Sequence, residues 1–243
     1  MTSYKNVKQV YQKGYAKMAK LHDNPRIQKV ISIVSTLPKN GKSLLDIGCG
    51  DGVFTLKLAN ILGAKKVFGI DIAKGAIDKA KKNGIEAKLF DIDERDLPFD
   101  SSSIDYIYCG NLIELIEDPD HLLSEAHRVL KKNGVAIITV PNLASWGSRI
   151  AVFLGYLPFY FRVSTKYDLG KMNSSIKKGA STGFIRLQTK ISFSQLVSCY
   201  NFEILKVVGA GESTLPRPLQ LIDSVLTNIP SLAFQLIFVL KKN

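Results

Sequence analysis

Cysteine is scarce: only Cys49, Cys109 and Cys199 occur in 243 residues, with no C-x-x-C pair and no even set. This excludes a disulfide framework and a cysteine-based zinc cluster, and it fits a reducing, cytoplasmic setting with no metal. Histidine is equally sparse. His22 precedes a helix cap, and His121 and His127 share one helix opened by Asp118-Pro-Asp, so all three read as surface or structural residues. Long apolar runs are missing too. No stretch near the start approaches the ~20 residues of a membrane span, and Met1 to Lys5 lacks the apolar region of a signal peptide.

Acidic residues are in short supply, 21 against 33 basic ones, for a net charge of +12. The imbalance is regional. Residues 1–42 carry 9 basic and 1 acidic side chains, residues 43–142 carry 12 and 16, and residues 143–243 carry 12 and 4. Two basic flanks bracket a mildly acidic centre, a pattern that favours an anionic partner as readily as a solubilised surface.

With 46% hydrophobic residues, the chain has enough apolar material for one large α/β domain over 1–243. Residues 4–21 read as a basic amphipathic helix with Val7, Val10, Tyr11, Tyr15 and Met18 on one side, and Asn24-Pro25 opens a second helix ended by Pro38 and Gly41. Residues 1–40 thus form an N-terminal helical cap. Strand 44–47, a helix from 53, strand 66–70, helix 74–82, strands 86–90 and 104–109, helix 120–131 and strand 135–140 then alternate as in a parallel sheet wound on both faces. Residues 142–190 break the pattern. Their aromatic run Ile150–Phe161 and their Lys/Ser/Gly-rich stretch read as an insertion or lid. A helix over 192–200, an extended segment over 202–208 and a final strand over 232–240 close the chain.

Residues 44–52, Leu-Leu-Asp-Ile-Gly-Cys-Gly-Asp-Gly, carry the most chemistry. An apolar strand runs into Asp46 and then into Gly48, Gly50 and Gly52, a turn in which backbone can pass close to a nucleoside. Asp71 follows Gly52 by 19 positions, at the end of the next strand, where a carboxylate can accept from both ribose hydroxyls. A dinucleotide fingerprint would need a glycine where Val53 stands. A P-loop ending in Gly41-Lys42-Ser43 would need a glycine where Thr36 stands, and a helix where a strand follows.

From Lys42 to Asn142 the chain resembles the class I S-adenosylmethionine-dependent methyltransferases motif by motif. The resemblance implies a three-layer, doubly wound Rossmann-like sheet, mostly parallel, with one antiparallel strand near the C-terminus. It places Asp46, Gly48, Cys49 (through its backbone), Gly50, Asp71 and Ile72 on the cofactor, S-adenosyl-L-methionine. Asp91 falls on the adenine amino group with Ile92 beside it, Asp93 is a competing register for that acid, and Asn111 falls near the sulfonium. Residues 141–146, with Leu157-Pro-Phe and Gly183–Leu187 downstream, are similar to methionine-biosynthesis W-type proteins and to small methyltransferases of envelope-sugar pathways.

Methyl transfer from a sulfonium is an in-line displacement that asks mainly for positioning, and no residue is assigned as catalytic. The implied reaction moves a methyl group to an oxygen or nitrogen of a small or lipid- or sugar-linked, anionic acceptor and releases S-adenosyl-L-homocysteine. Tyr11 and Tyr15 are candidates for the methyl side, and Arg149, Arg162 and Lys166 for the acceptor mouth. Residues 150–161 read as a lid or as a loop in peripheral contact with a membrane. Two alternatives stand: a non-catalytic S-adenosylmethionine-binding regulator of a partner enzyme, and an RNA methyltransferase, which the basic flanks suggest although no RNA-binding motif is visible.

Overall fold

The structure is a computed structural model in which residues 24–164, 166–172, 177–178 and 184–243 are described. The expected helix over 4–21, with Tyr11 and Tyr15, lies outside the described residues.

Helix α1 (Pro25–Ser35) starts where its sequence directs. The Asn24 side chain accepts the Arg26 and Ile27 N–H groups, and Pro25 occupies a first-turn position where its missing N–H costs nothing. There follow β1 (Ser43–Ile47), α2 (Val53–Leu62), β2 (Lys66–Asp71), α3 (Lys74–Lys82), β3 (Glu86–Leu89), β4 (Ile104–Gly110), α4 (Pro119–Val129) and β5 (Leu130–Pro141). Beyond them come α5 (Trp146–Phe153), a short ribbon of β6 (Tyr167–Asp168) and β7 (Lys177–Lys178), α6 (Lys190–Cys199), β8 (Phe202–Ala210), α7 (Arg217–Leu226) and β9 (Gln235–Lys242).

The main sheet has seven strands in the order β3-β2-β1-β4-β5-β9-β8. Strands β1 to β5 pair in parallel, and β9 runs antiparallel to both β5 and β8. The order reverses between β1 and β4, which makes the crevice outside their carboxyl ends the place for a ligand. Alternation along the strands divides the core. Leu44, Tyr106, Tyr108, Val135 and Ile137 pack with Ile27, Val30, Phe54 and Leu58 of α1 and α2, whereas Leu45, Ile107, Ile138 and Phe238 pack with Leu122, Ala126, Phe193 and Val197 of α4 and α6. Each such buried side chain is worth about 1.5–3 kcal/mol, so the sheet is a rigid floor for the loops at its edge.

The structure departs from the sequence reading in three places. Helix α4 ends at Val129, because Leu130 is already extended (φ −69, ψ 135) and pairs with Ile104. Helix α7, for which the sequence reading placed no element, joins β8 to β9, and the final strand spans Gln235–Lys242. The run Ile150–Phe161 is not one unit: Ala151 is buried and Phe159 packs edge-on against Phe234, with ring centroids 5.0 Å apart, whereas Ile150, Val152, Phe153 and Leu154 are exposed.

Candidate cofactor and acceptor site

The glycine turn is pinned to its neighbour strand before any ligand is considered. Gly48 and Cys49 both donate their N–H groups to the Ile70 carbonyl, at 2.8 and 3.0 Å. Gly48, Gly50 and Gly52 have φ values of 84°, 56° and 76°, the left-handed region that side chains rarely adopt. Gly52 has a second reason to lack a side chain: a Cβ there would overlap Ile85 Cδ1, so this glycine serves the packing of α2 against the entrance to β3.

Asp71 closes the turn from the other side. Its Oδ2 accepts the Gly50 N–H at 2.9 Å and its Oδ1 accepts the Ala73 N–H at 2.8 Å. The carboxylate is therefore fixed in place by backbone N–H groups on both oxygens. Burial pushes its pKa up against the pull of those backbone bonds. Asp46 lies deeper. It is 2% exposed, its Oδ2 accepts from Thr55 Oγ1, and its Oδ1 has no partner; burial, opposed by the Thr55 bond and reinforced by Asp71, pushes it up to about 7. The Cys49 thiol is pushed up by burial and by the nearby acids, which makes it a poor nucleophile.

At the end of β3, Asp91 Oδ1 accepts the Asp93 N–H at 3.1 Å, a local Asx turn. Asp93 reaches elsewhere: its Oδ1 accepts the N–H groups of Glu117 and Asp118 at 3.0 and 3.1 Å and anchors the start of α4. Ile92 is buried in the core, and Ile72 is half-buried. Asp46, Gly48, Cys49, Gly50, Asp71, Ile72, Asp91, Ile92 and Asn111 thus gather along the carboxyl edge of four adjacent strands, β3-β2-β1-β4. The acceptor-side candidates are more dispersed. The Arg149 guanidinium donates to the carbonyls of Ala144 and Ser231 at 2.8 and 3.2 Å, Arg162 pairs with Asp168, and Lys166 is exposed.

Two features carry no local sequence signal. The first is a polar chain across the ends of β4, β5 and β9. Arg26 donates to Tyr108 and Thr139, at 3.3 and 3.0 Å, and Thr139 Oγ1 donates to Asn111 Oδ1 at 2.6 Å. Asn111 Nδ2 donates to Gln235, Gln235 to Tyr160, and Tyr160 to Glu212, at 3.0, 3.0 and 2.7 Å. Both ends of the Asn111 amide are therefore engaged within the protein. The second is Glu114, fully buried with neither carboxylate oxygen bonded. Burial pushes its pKa up to about 8, against its own backbone N–H and the charge of Arg26.

The strand order, the glycine turn and the acid closing it define a class I S-adenosylmethionine-dependent methyltransferase fold. A methyltransferase of Thermotoga maritima has the same fold over 100% of this chain and 99% of its own, with a TM-score of 0.61 at 17% identity. A methyltransferase of Haloferax volcanii, solved in complex with the Trm112 methyltransferase activator, matches with a TM-score of 0.60 at 16% identity over 88% of each chain. Residues 45–138 match the family described as "Methyltransferase domain". A demethylmenaquinone methyltransferase of Geobacillus stearothermophilus is 32% identical over 105 residues, which cover 41% of this chain and 45% of that protein. The chain spans less than half the length of the curated relatives of this kind that it matches. Among the described residues, no group of His, Cys, Asp and Glu could hold a metal ion, and no helix is long and apolar enough to cross a membrane.

Proposed function

We propose that the protein transfers a methyl group from S-adenosylmethionine to an oxygen or nitrogen of a small or lipid- or sugar-linked, anionic acceptor. The observation that carries this reading is the Asp71 carboxylate locked to the Gly50 N–H at the carboxyl edge of β1 and β2. The residues present fit the cofactor. The Asp71 carboxylate would accept from the ribose hydroxyls, the orphaned Asp46 Oδ1 offers a buried acceptor behind the turn, and Asp91, with the Ile92 backbone beside it, would take the adenine amino group. When bound, the cofactor supplies a methyl group on an electrophilic sulfonium. What remains for the chain is to hold the acceptor in line, exclude water and, where the acceptor is a hydroxyl or ammonium, take its proton. The similarity to a demethylmenaquinone methyltransferase supports a small-molecule acceptor.

Asp71→Ala tests the ribose assignment. Loss of charge-assisted hydrogen bonds predicts affinity for S-adenosylhomocysteine weaker by about 10- to 100-fold in calorimetry, with the cooperative melting transition kept. Unchanged affinity removes the assignment. On the acceptor side, Lys166→Glu is expected to raise the acceptor KM several-fold at low salt and to leave cofactor affinity unchanged, an effect that fades as salt screens the charge. A KM indifferent to both changes speaks against an anionic acceptor at this mouth.

A further inference from the structure

Helix α7 is inverted relative to an ordinary surface helix. Its one buried residue is polar, Asp223, while Leu219, Leu221, Ile222 and Val225 face outward, Leu221 at 73% exposure. A globular domain normally turns such an apolar stripe to its core. Helix α5 repeats the pattern at its end, where Val152, Phe153 and Leu154 are exposed, Phe153 at 89%. The two helices are tied together: Trp146 Nε1 at the start of α5 donates to Asp223 Oδ1 at 2.8 Å, and Arg149 reaches the Ser231 carbonyl beyond α7.

We propose that the exposed apolar side chains of α5 and α7 form a platform that seats on an anionic lipid bilayer. Charge selects this occupant. Residues 143–243 carry 12 basic and 4 acidic side chains, and none of the four acids opposes an anionic surface at the platform. Asp223 faces inward to Trp146, Glu212 accepts from Tyr160 and Thr214, Asp168 pairs with Arg162, and Glu203 lies on β8 beside Lys241. Arg149 precedes Ile150 on α5, and Arg217 opens α7 two residues before Leu219. A second copy of the chain would bring a like-charged surface to this face, and residues 1–23, with 5 basic and 1 acidic side chains, would do the same. An anionic membrane supplies both the apolar boundary and the opposite charge. Helix α7, ten residues long, would lie in the plane of the interface, as its length and stripe require.

The proposal stands apart from the methyl-transfer reading, because lipid binding is measured without turnover. The full chain is mixed with phosphatidylcholine vesicles that contain about one-third phosphatidylglycerol, or none, at low and high salt. Trp146 is the single tryptophan and sits at the junction of the two helices, so its emission reports the event. The expected result is co-sedimentation with the anionic vesicles, a Trp146 spectral shift, and partition weakened at least about tenfold by Leu221→Glu/Val225→Glu and, separately, by Phe153→Glu. These residues are exposed, and unchanged S-adenosylhomocysteine affinity and melting temperature in the variants confirm folding. Three results would overturn the proposal: no binding to anionic vesicles, binding that the substitutions leave intact, or a dimer in sedimentation velocity that the same substitutions disperse.

Discussion

Gly50→Val abolishes binding of S-adenosylhomocysteine. The backbone at this position has φ 56°, where a side chain crowds the following carbonyl at a cost of roughly 1–2 kcal/mol and a β-branched one is a true outlier. The substituted chain can relieve that strain only by rotating away from the left-handed region, and such a rotation turns the Gly50 N–H away from Asp71 Oδ2. The turn and its bond to the Asp71 carboxylate are then lost together. Calorimetry should show affinity reduced by at least about 100-fold, since roughly 1.4 kcal/mol corresponds to each factor of ten and both the loop and two charge-assisted bonds are affected. Gly50→Ala, with a smaller side chain but the same strain, should fall between. Normal binding by the Val variant would mean that this loop is not the cofactor turn.

The second large effect is on stability, at Glu114. Its carboxyl titrates near 4.5 in the unfolded chain and at about 8 in the folded one, so the folded state holds the proton more tightly. That contribution is fully present below pH 4.5, declines as pH rises and is gone above about 8. Glu114→Gln, which carries no such proton, should therefore gain stability relative to wild type across that window, by a few kcal/mol at the alkaline end. For a domain of this size this is on the order of 5–10 °C in Tm. Asp46 titrates in an overlapping range, but it is present in both proteins and cancels in the difference. Parallel Tm curves from pH 4 to 9 would show that the buried carboxyl carries no ionisation cost.

Much of this was legible in the chain itself, for a physical reason. Short apolar runs closed by glycine or acid specify strands β1, β2 and β4, because a buried parallel strand needs no alternation and a left-handed turn needs glycine. Leu44–Gly52 and Asp71 show that relation within 28 residues. Other features depend on partners far along the sequence. Asn111 meets Gln235 across 124 positions and Gln235 meets Tyr160 across 75, separations at which no periodicity survives. Asp91 and Asp93 are equivalent as letters, and only the fold shows that Asp93 is tied to Glu117 and Asp118. Helix α7 escaped notice because its apolar stripe faces outward and Pro216 and Pro218 punctuate its start. Glu114 is set apart from the other acids only by its burial, which its sequence neighbours do not encode.

The strand order also dictates how the polypeptide can assemble as it is made. Strand β9 is synthesised after β8 yet lies between β8 and β5. Until β9 leaves the ribosome, β5 has an open edge and β8 has nothing to pair with, although every residue of the glycine turn has already emerged. The half that carries the glycine turn pairs β1 with β2 and β2 with β3 in sequence order before β4 adds beside β1, and it can form early, whereas the other half waits for a central strand to be inserted. Open edges of this kind invite pairing with other chains. In the nascent protein, the exposed aggregation hazard is therefore the seam that β9 closes, and the speed of that closure sets how much of the newly made chain reaches the native sheet.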